Sequence, residues 1–124
     1  MIQAKRPMHW YRLYKLYCEA FPAYERKPFS MIRSMQKNGK SDVWYFEKEG
    51  KFAGLVFTIN SDNVILIDYL AIAANRRGEG IGSAIISQLR EYYGEALIRY
   101  MYPREVIKAM LTINKKYMLE MKED

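Results

Sequence analysis

The sequence holds one cysteine and one histidine in 124 residues. A lone Cys18 excludes an internal disulfide framework. Cys18 and His9 together cannot supply the four nitrogen and sulfur ligands of a structural zinc site. Long apolar runs are also missing. The longest, residues 64–67 and 69–74, fall far short of the ~20 residues that cross a bilayer, so no membrane span is expected. The opening string MIQAKRPMHW has no apolar stretch of the kind a secretory leader carries. There is no linker rich in Pro, Gly or Ser, and no segment repeats. These absences lead us to expect one domain over residues 1–124, in a reduced, cytoplasmic setting.

What is present is an ordinary globular composition, 50% hydrophobic and 27% charged. The net charge of +6 is unevenly spread. Residues 1–40 carry nine Lys/Arg against two Asp/Glu, and residues 41–102 carry six against eight. A basic front end suits a polyanion, or it is simply the solvated face of ordinary helices. No Arg/Lys-rich tract or Cys/His module supports nucleic-acid binding, so a nucleic-acid partner is not expected.

The order of patterns gives the architecture. Residues 8–20 place Trp10, Leu13, Tyr14, Tyr17 and Cys18 at helical spacing, between Pro7 and Phe21-Pro22. The string FPAYERKPF, broken by two prolines, reads as a loop. A second helix is expected from Ser30, with Met31, Ile32 and Met35 inward and Asn38-Gly39 as its stop. From Ser41 the pattern turns to strands. VWYFEKEG and KFAGLVFTIN form a hairpin turning at Glu49-Gly50. VILIDYLAIA is almost continuously apolar and is expected to be a central strand covered on both faces. A glycine-rich loop follows, then a helix with Ile81, Ile85, Leu89 and Tyr92 on one stripe, closed by Gly94. A short strand ALIRYMY and a last amphipathic helix after Pro103 complete the order α-α-β-β-β-α-β-α. This is a mixed α/β domain with a mostly antiparallel sheet flanked by helices.

The loop RRGEGIGS is the sharpest feature. Gly78, Gly80 and Gly82 let the backbone turn tightly and approach a ligand. The following helix offers unpaired N–H groups and a partial positive charge. Together they suit a phosphate, with Arg76 and Arg77 as charged donors. A Walker loop would end in Gly-Lys-Ser/Thr, whereas here Gly82-Ser83-Ala84 follows. A dinucleotide-binding unit would need the spacing G-x-G-x-x-G near the chain start. A third reading is the pyrophosphate of coenzyme A, and a glycine-rich turn that holds no ligand is the plain alternative.

Arg77-x-x-Gly80-x-Gly82, after an apolar strand ending Leu70-Ala71-Ile72, resembles the acetyl-CoA signature of the GNAT N-acyltransferases. Residues 8–102 fit that family's order of elements. The resemblance implies acetyl-CoA as donor and a small-molecule or peptide amine as acceptor. It implies that N–H groups from Arg77 to Ser83 hold the pyrophosphate. It also implies that backbone groups of Leu70 and Ile72 pair with the pantetheine arm, with an N–H near Leu70 as oxyanion donor. Measured against the family the C-terminus is short. Only 22 residues follow Tyr102, so the family's last strands are expected to be missing and residues 103–124 to be atypical. The apolar stripe from Ile107 to Met121 would then cover the exposed sheet, in its own chain or in a homodimer. A catalytically silent domain that binds coenzyme A, or only dimerises, is the alternative to an active transferase.

Two residues stand out for chemistry. Asp68 interrupts an apolar strand, and period-two alternation puts it on one side with Leu70 and Ile72. It is either a base for the incoming amine or a buried acid bonded to a tyrosine or to the 22–29 loop. Glu25 lies in the loop after the first helix, where the resemblance implies part of the acceptor wall. It either holds a cationic acceptor or belongs to a surface Glu-Arg pair. Cys18 is expected to pack in the core, and His9 to sit on the surface at a helix start.

Overall fold

A computed structural model describes residues 1–61 and 64–94 of the chain. Four strands form one antiparallel sheet in the order β1 (Ile2–Gln3), β2 (Val43–Lys48), β3 (Lys51–Ser61), β4 (Val64–Ile72). Helices α1 (Pro7–Ala20) and α2 (Phe29–Lys37) precede β2, and α3 (Ile81–Tyr93) follows β4. The two-residue β1 is too short to leave a period-two signal, and the sequence reading missed it. The strand expected at residues 96–102 and the helix expected after Pro103 lie outside the described residues. Among the described residues β4 is therefore the outermost strand on its side.

Alternation along the strands builds two cores. Val43, Tyr45, Leu55, Phe57 and Tyr69 face α1 and α2, where Leu13, Leu16, Tyr17 and Ile32 meet them. Trp44, Phe46, Val56 and Ile67 face α3, which contributes Ile81, Ile85 and Leu89. The sheet is thus covered on both sides, as the apolar run of β4 required.

The β2–β3 turn is the one expected. Glu49 and Gly50 both adopt positive φ, 56° and 75°, the geometry that matches the twist of a tight hairpin. Three helical stripes differ in detail from their spacing. On α1, Leu16 is buried while Tyr14 is exposed. On α2, which starts at Phe29 rather than Ser30, Met31 is exposed and Ile32 is buried. On α3, Tyr92 is exposed, while the Tyr93 hydroxyl accepts from Trp44 Nε1 at 2.7 Å and donates to the Asp42 carboxylate. On α1 and α3 another residue of the same helix takes the inward position, while on α2 Ile32 is buried as expected and Met31 alone departs. His9 is also not a plain surface residue. It stacks on Tyr45 with ring centroids 4.5 Å apart, and its Nδ1 accepts from the Lys5 N–H at 3.3 Å.

Candidate functional site

The glycine loop opens α3 as the sequence suggested. Gly80 is the residue before the helix and has φ 75°, and Gly78 has φ 84°. Both are left-handed, a conformation that side chains disfavour. Gly80 has no side chain with which to cap the helix, so among the described residues the N-cap position leaves the first N–H groups of α3 uncapped. Gly82 is different, because it sits inside the first turn of α3. Glycine there costs the helix about 1 kcal/mol relative to alanine. Yet a Cβ at Gly82 would meet nothing within 4 Å. Neither backbone conformation nor packing within the described chain calls for glycine at this position, whereas a ligand lying against the turn would.

The two arginines behave differently. Arg77 is exposed, and its Nε donates to the Ile72 carbonyl at 3.4 Å. Arg76 is buried. Its guanidinium lies 3.4 Å from Glu79 and 3.8 Å from Glu49, and it donates to the Lys48 carbonyl at 3.4 Å. These contacts tie the loop to the β2–β3 hairpin, so the expected second charged donor is turned inward and engaged.

The register of β4 fixes where its last backbone groups point. Just beyond the ladder's end, the Ala73 N–H donates to the Ala53 carbonyl at 2.8 Å. In an antiparallel pair, residues that exchange hydrogen bonds alternate with residues whose N–H and C=O point away. The register sets Ile72 opposite Gly54, Ala71 opposite Leu55 and Leu70 opposite Val56. Counting from Ala73, Ile72 and Leu70 therefore direct their N–H and C=O away from β3. The Arg77 contact to the Ile72 carbonyl agrees with that direction. A groove of about 450 Å³ joins Leu70 to Gly82, Ser83, Ile86, Ser87 and Arg90. Leu70 of β4 and the first turn of α3 at Gly82 and Ser83 thus line one groove.

Asp68 does not share a side with Leu70 and Ile72. Phe57 pairs with Tyr69 but Thr58 pairs with Ile67, so Asp68 is the extra residue of a β-bulge. The bulge breaks the period-two count. Leu70 and Ile72 pack toward α3, while Asp68 turns to the loop between α1 and α2. There its Oδ2 lies 2.5 Å from Lys27 Nζ, and both residues are buried. Burial raises the Asp68 carboxyl above its ordinary pKa, and the hydrogen bond and charge of Lys27 oppose that rise. Two tyrosines complete the cluster. Tyr69 accepts from the Lys27 N–H at 3.1 Å and donates to the Glu25 carbonyl at 2.9 Å. Tyr17 donates to the Lys27 carbonyl at 2.9 Å. Burial pushes the Tyr17 hydroxyl well above its usual range, so it stays a donor.

Glu25 stands in a short 3₁₀ turn (Ala23–Glu25), half-buried, and its carbonyl oxygen serves the cluster. Cys18 is half-buried on α1, and its carbonyl accepts from Arg26 at 3.0 Å. Lys27 was the residue sequence reasoning missed. Its only signal is position, a cation between two prolines in a loop expected to reach Asp68.

With this geometry in place the comparisons with known proteins are specific. The sequence pattern of the Acetyltransferase (GNAT) family matches residues 10–105. The chain belongs to that family. It is 36% identical over 84 residues to "Putative acetyltransferase YjbC" of Bacillus subtilis (strain 168), covering 68% of this chain and 41% of the relative. A solved structure, "Putative acetyltransferase from GNAT family from Bacteroides thetaiotaomicron", superposes with a TM-score of 0.62 at 19% identity. That match covers 68% of this chain and 49% of the other, and it establishes the fold. The chain thus spans about two fifths of the curated relative and half of the structural one. No helix among the described residues is long and apolar enough to cross a membrane.

Proposed function

We propose that this chain carries the acetyl-CoA site of an N-acetyltransferase that passes the acetyl group to a primary amine by direct attack. The observation that carries the reading is the groove that joins Leu70, whose backbone groups point away from β3, to the turn at Gly82 and Ser83. A pyrophosphate fits the N–H groups of residues 77–83, with Arg77 as the charged donor. Arg76, held by Glu49 and Glu79, shapes the turn and does not bind the phosphate. Acetyl-CoA supplies the activated acyl group. The protein's part is to align its arm along Leu70 and Ile72, and to hold the developing oxyanion with the Leu70 N–H.

An amine arrives as an ammonium and must lose a proton before it attacks. Asp68 lies two residues along β4 from Leu70, turned to the other face of the sheet and paired with Lys27. Its raised pKa makes its carboxylate a better proton acceptor, acting through that pair. Glu25, on the facing loop, is the group that would hold a cationic acceptor. The amine nitrogen then bonds to the thioester carbon and the carbon–sulfur bond breaks, giving the amide and the thiol of coenzyme A.

The test is thiol release from acetyl-CoA in the presence of a panel of small primary amines and amino-terminal peptides. Release that depends on the amine supports the reading. Asp68→Asn should lower it by roughly 10²-fold, the usual size of a general-base effect, while leaving affinity for coenzyme A unchanged. Binding without turnover of any amine would favour the catalytically silent domain.

A further inference from the structure

We propose that Lys27 is a positioning residue, which fixes the 21–28 loop against the β4 bulge and so sets where Glu25 stands on the acceptor wall. The last clause rests on the function proposed above; the clamp itself rests on geometry.

Three independent contacts converge on this one residue. Its ammonium pairs with Asp68, its N–H donates to Tyr69, and its carbonyl accepts from Tyr17. The loop between α1 and α2 is thereby tied through side chain and backbone to two consecutive residues of β4 and to α1. Pro28 follows directly, with φ −55° as the residue before α2, so the chain beyond Lys27 is stiff. The bulge matters for the same reason. A regular strand would have sent residue 68 to the α3 side with Leu70, out of reach of the loop. The extra residue lets Asp68 and Tyr69 both meet Lys27. A lysine brought to a buried site at such cost is weak evidence for stability, because a pair of apolar side chains would often serve as well. It is better evidence that a particular loop position is being held.

The clamp can be read without any substrate. Amide hydrogen exchange would be followed in Lys27→Met and in the double variant Lys27→Met/Asp68→Leu, which leaves no buried charge unpaired and keeps the test available if the single variant fails to fold. In both, amides of residues 21–28 should exchange at least about tenfold faster while those of β2 and β3 keep their protection. With an amine that the wild type acetylates, Lys27→Met should raise KM for that amine about tenfold and leave the affinity for acetyl-CoA unchanged. Loop exchange at the wild-type rate in a folded variant overturns the clamp. A loosened loop with an unchanged KM overturns its role at the acceptor wall. Failure of the wild type to turn over any amine counts against the transferase reading, and the exchange measurement then decides the clamp alone.

Discussion

Lys27 Nζ lies 2.5 Å from Asp68 Oδ2, with both side chains more than nine-tenths buried. This pair joins the loop after the first helix to the one residue of β4 that has no ladder partner on β3. Burial and pairing pull the carboxyl in opposite directions, and burial prevails.

A pH dependence follows from that balance. The folded state binds the Asp68 proton more tightly than the unfolded chain, whose carboxyl has a pKa of about 3.9. Where the folded state holds more protons, stability falls as pH rises. The contribution of Asp68 is therefore fully present below the unfolded pKa and is lost as pH climbs through the raised folded value. Lys27→Met removes the influence that lowers this pKa, so the loss should extend to higher pH. Denaturant midpoints measured from pH 3.5 upward for wild type and variant check the sign.

Tyr69→Phe isolates the hydroxyl at the centre of the cluster. It deletes the acceptor for the Lys27 N–H and the donor to the Glu25 carbonyl. Losing the bond to the buried Lys27 N–H costs about 1–3 kcal/mol, and the half-buried Glu25 carbonyl adds less, because water can reach it. A chemical denaturation curve should show a loss in that range, with unchanged slope.

Gly54→Ala probes the sheet behind the groove. A Cβ there would lie 2.7 Å from the Ala71 carbonyl oxygen and 3.2 Å from Ile85 Cδ1. The carbonyl is fixed in the β3–β4 ladder, so backbone must shift to admit one methyl group. Overpacking of this kind typically costs about 1–3 kcal/mol. A thermal midpoint equal to that of wild type would show that the strands can part there without penalty.

Most of the fold was legible because it rests on local signals. Glu49-Gly50 between two aromatic arms specifies a tight hairpin, and Arg77-x-x-Gly80-x-Gly82 after an apolar strand specifies a turn into a helix. The bulge at Asp68 was not legible. VILIDYLAI is apolar on both faces, so a one-residue slip leaves no mark in its pattern, and alternation counted across it put Asp68 on the wrong side. Lys27 was hidden for a related reason: loop residues carry no periodicity, and its burial arises only when β4 and α1 meet. Arg76 and Arg77 looked equivalent in the sequence. Only the neighbouring hairpin, through Glu49 and the Lys48 carbonyl, separates the buried one from the exposed one.

Calorimetric titration with coenzyme A reads out the proposed seating of its pyrophosphate on the turn at residues 77–83. Gly82→Val is the informative variant. Gly82 lies in helical conformation with open space where a side chain would go, so the variant should melt within a few degrees of wild type. The added side chain would nonetheless fill the open space in which we propose that the phosphate lies. Wild type should bind coenzyme A, and Gly82→Val should bind it at least about tenfold more weakly, a loss of about 1.4 kcal/mol. Equal affinity in the two folded proteins, or no binding by wild type, would contradict that seating.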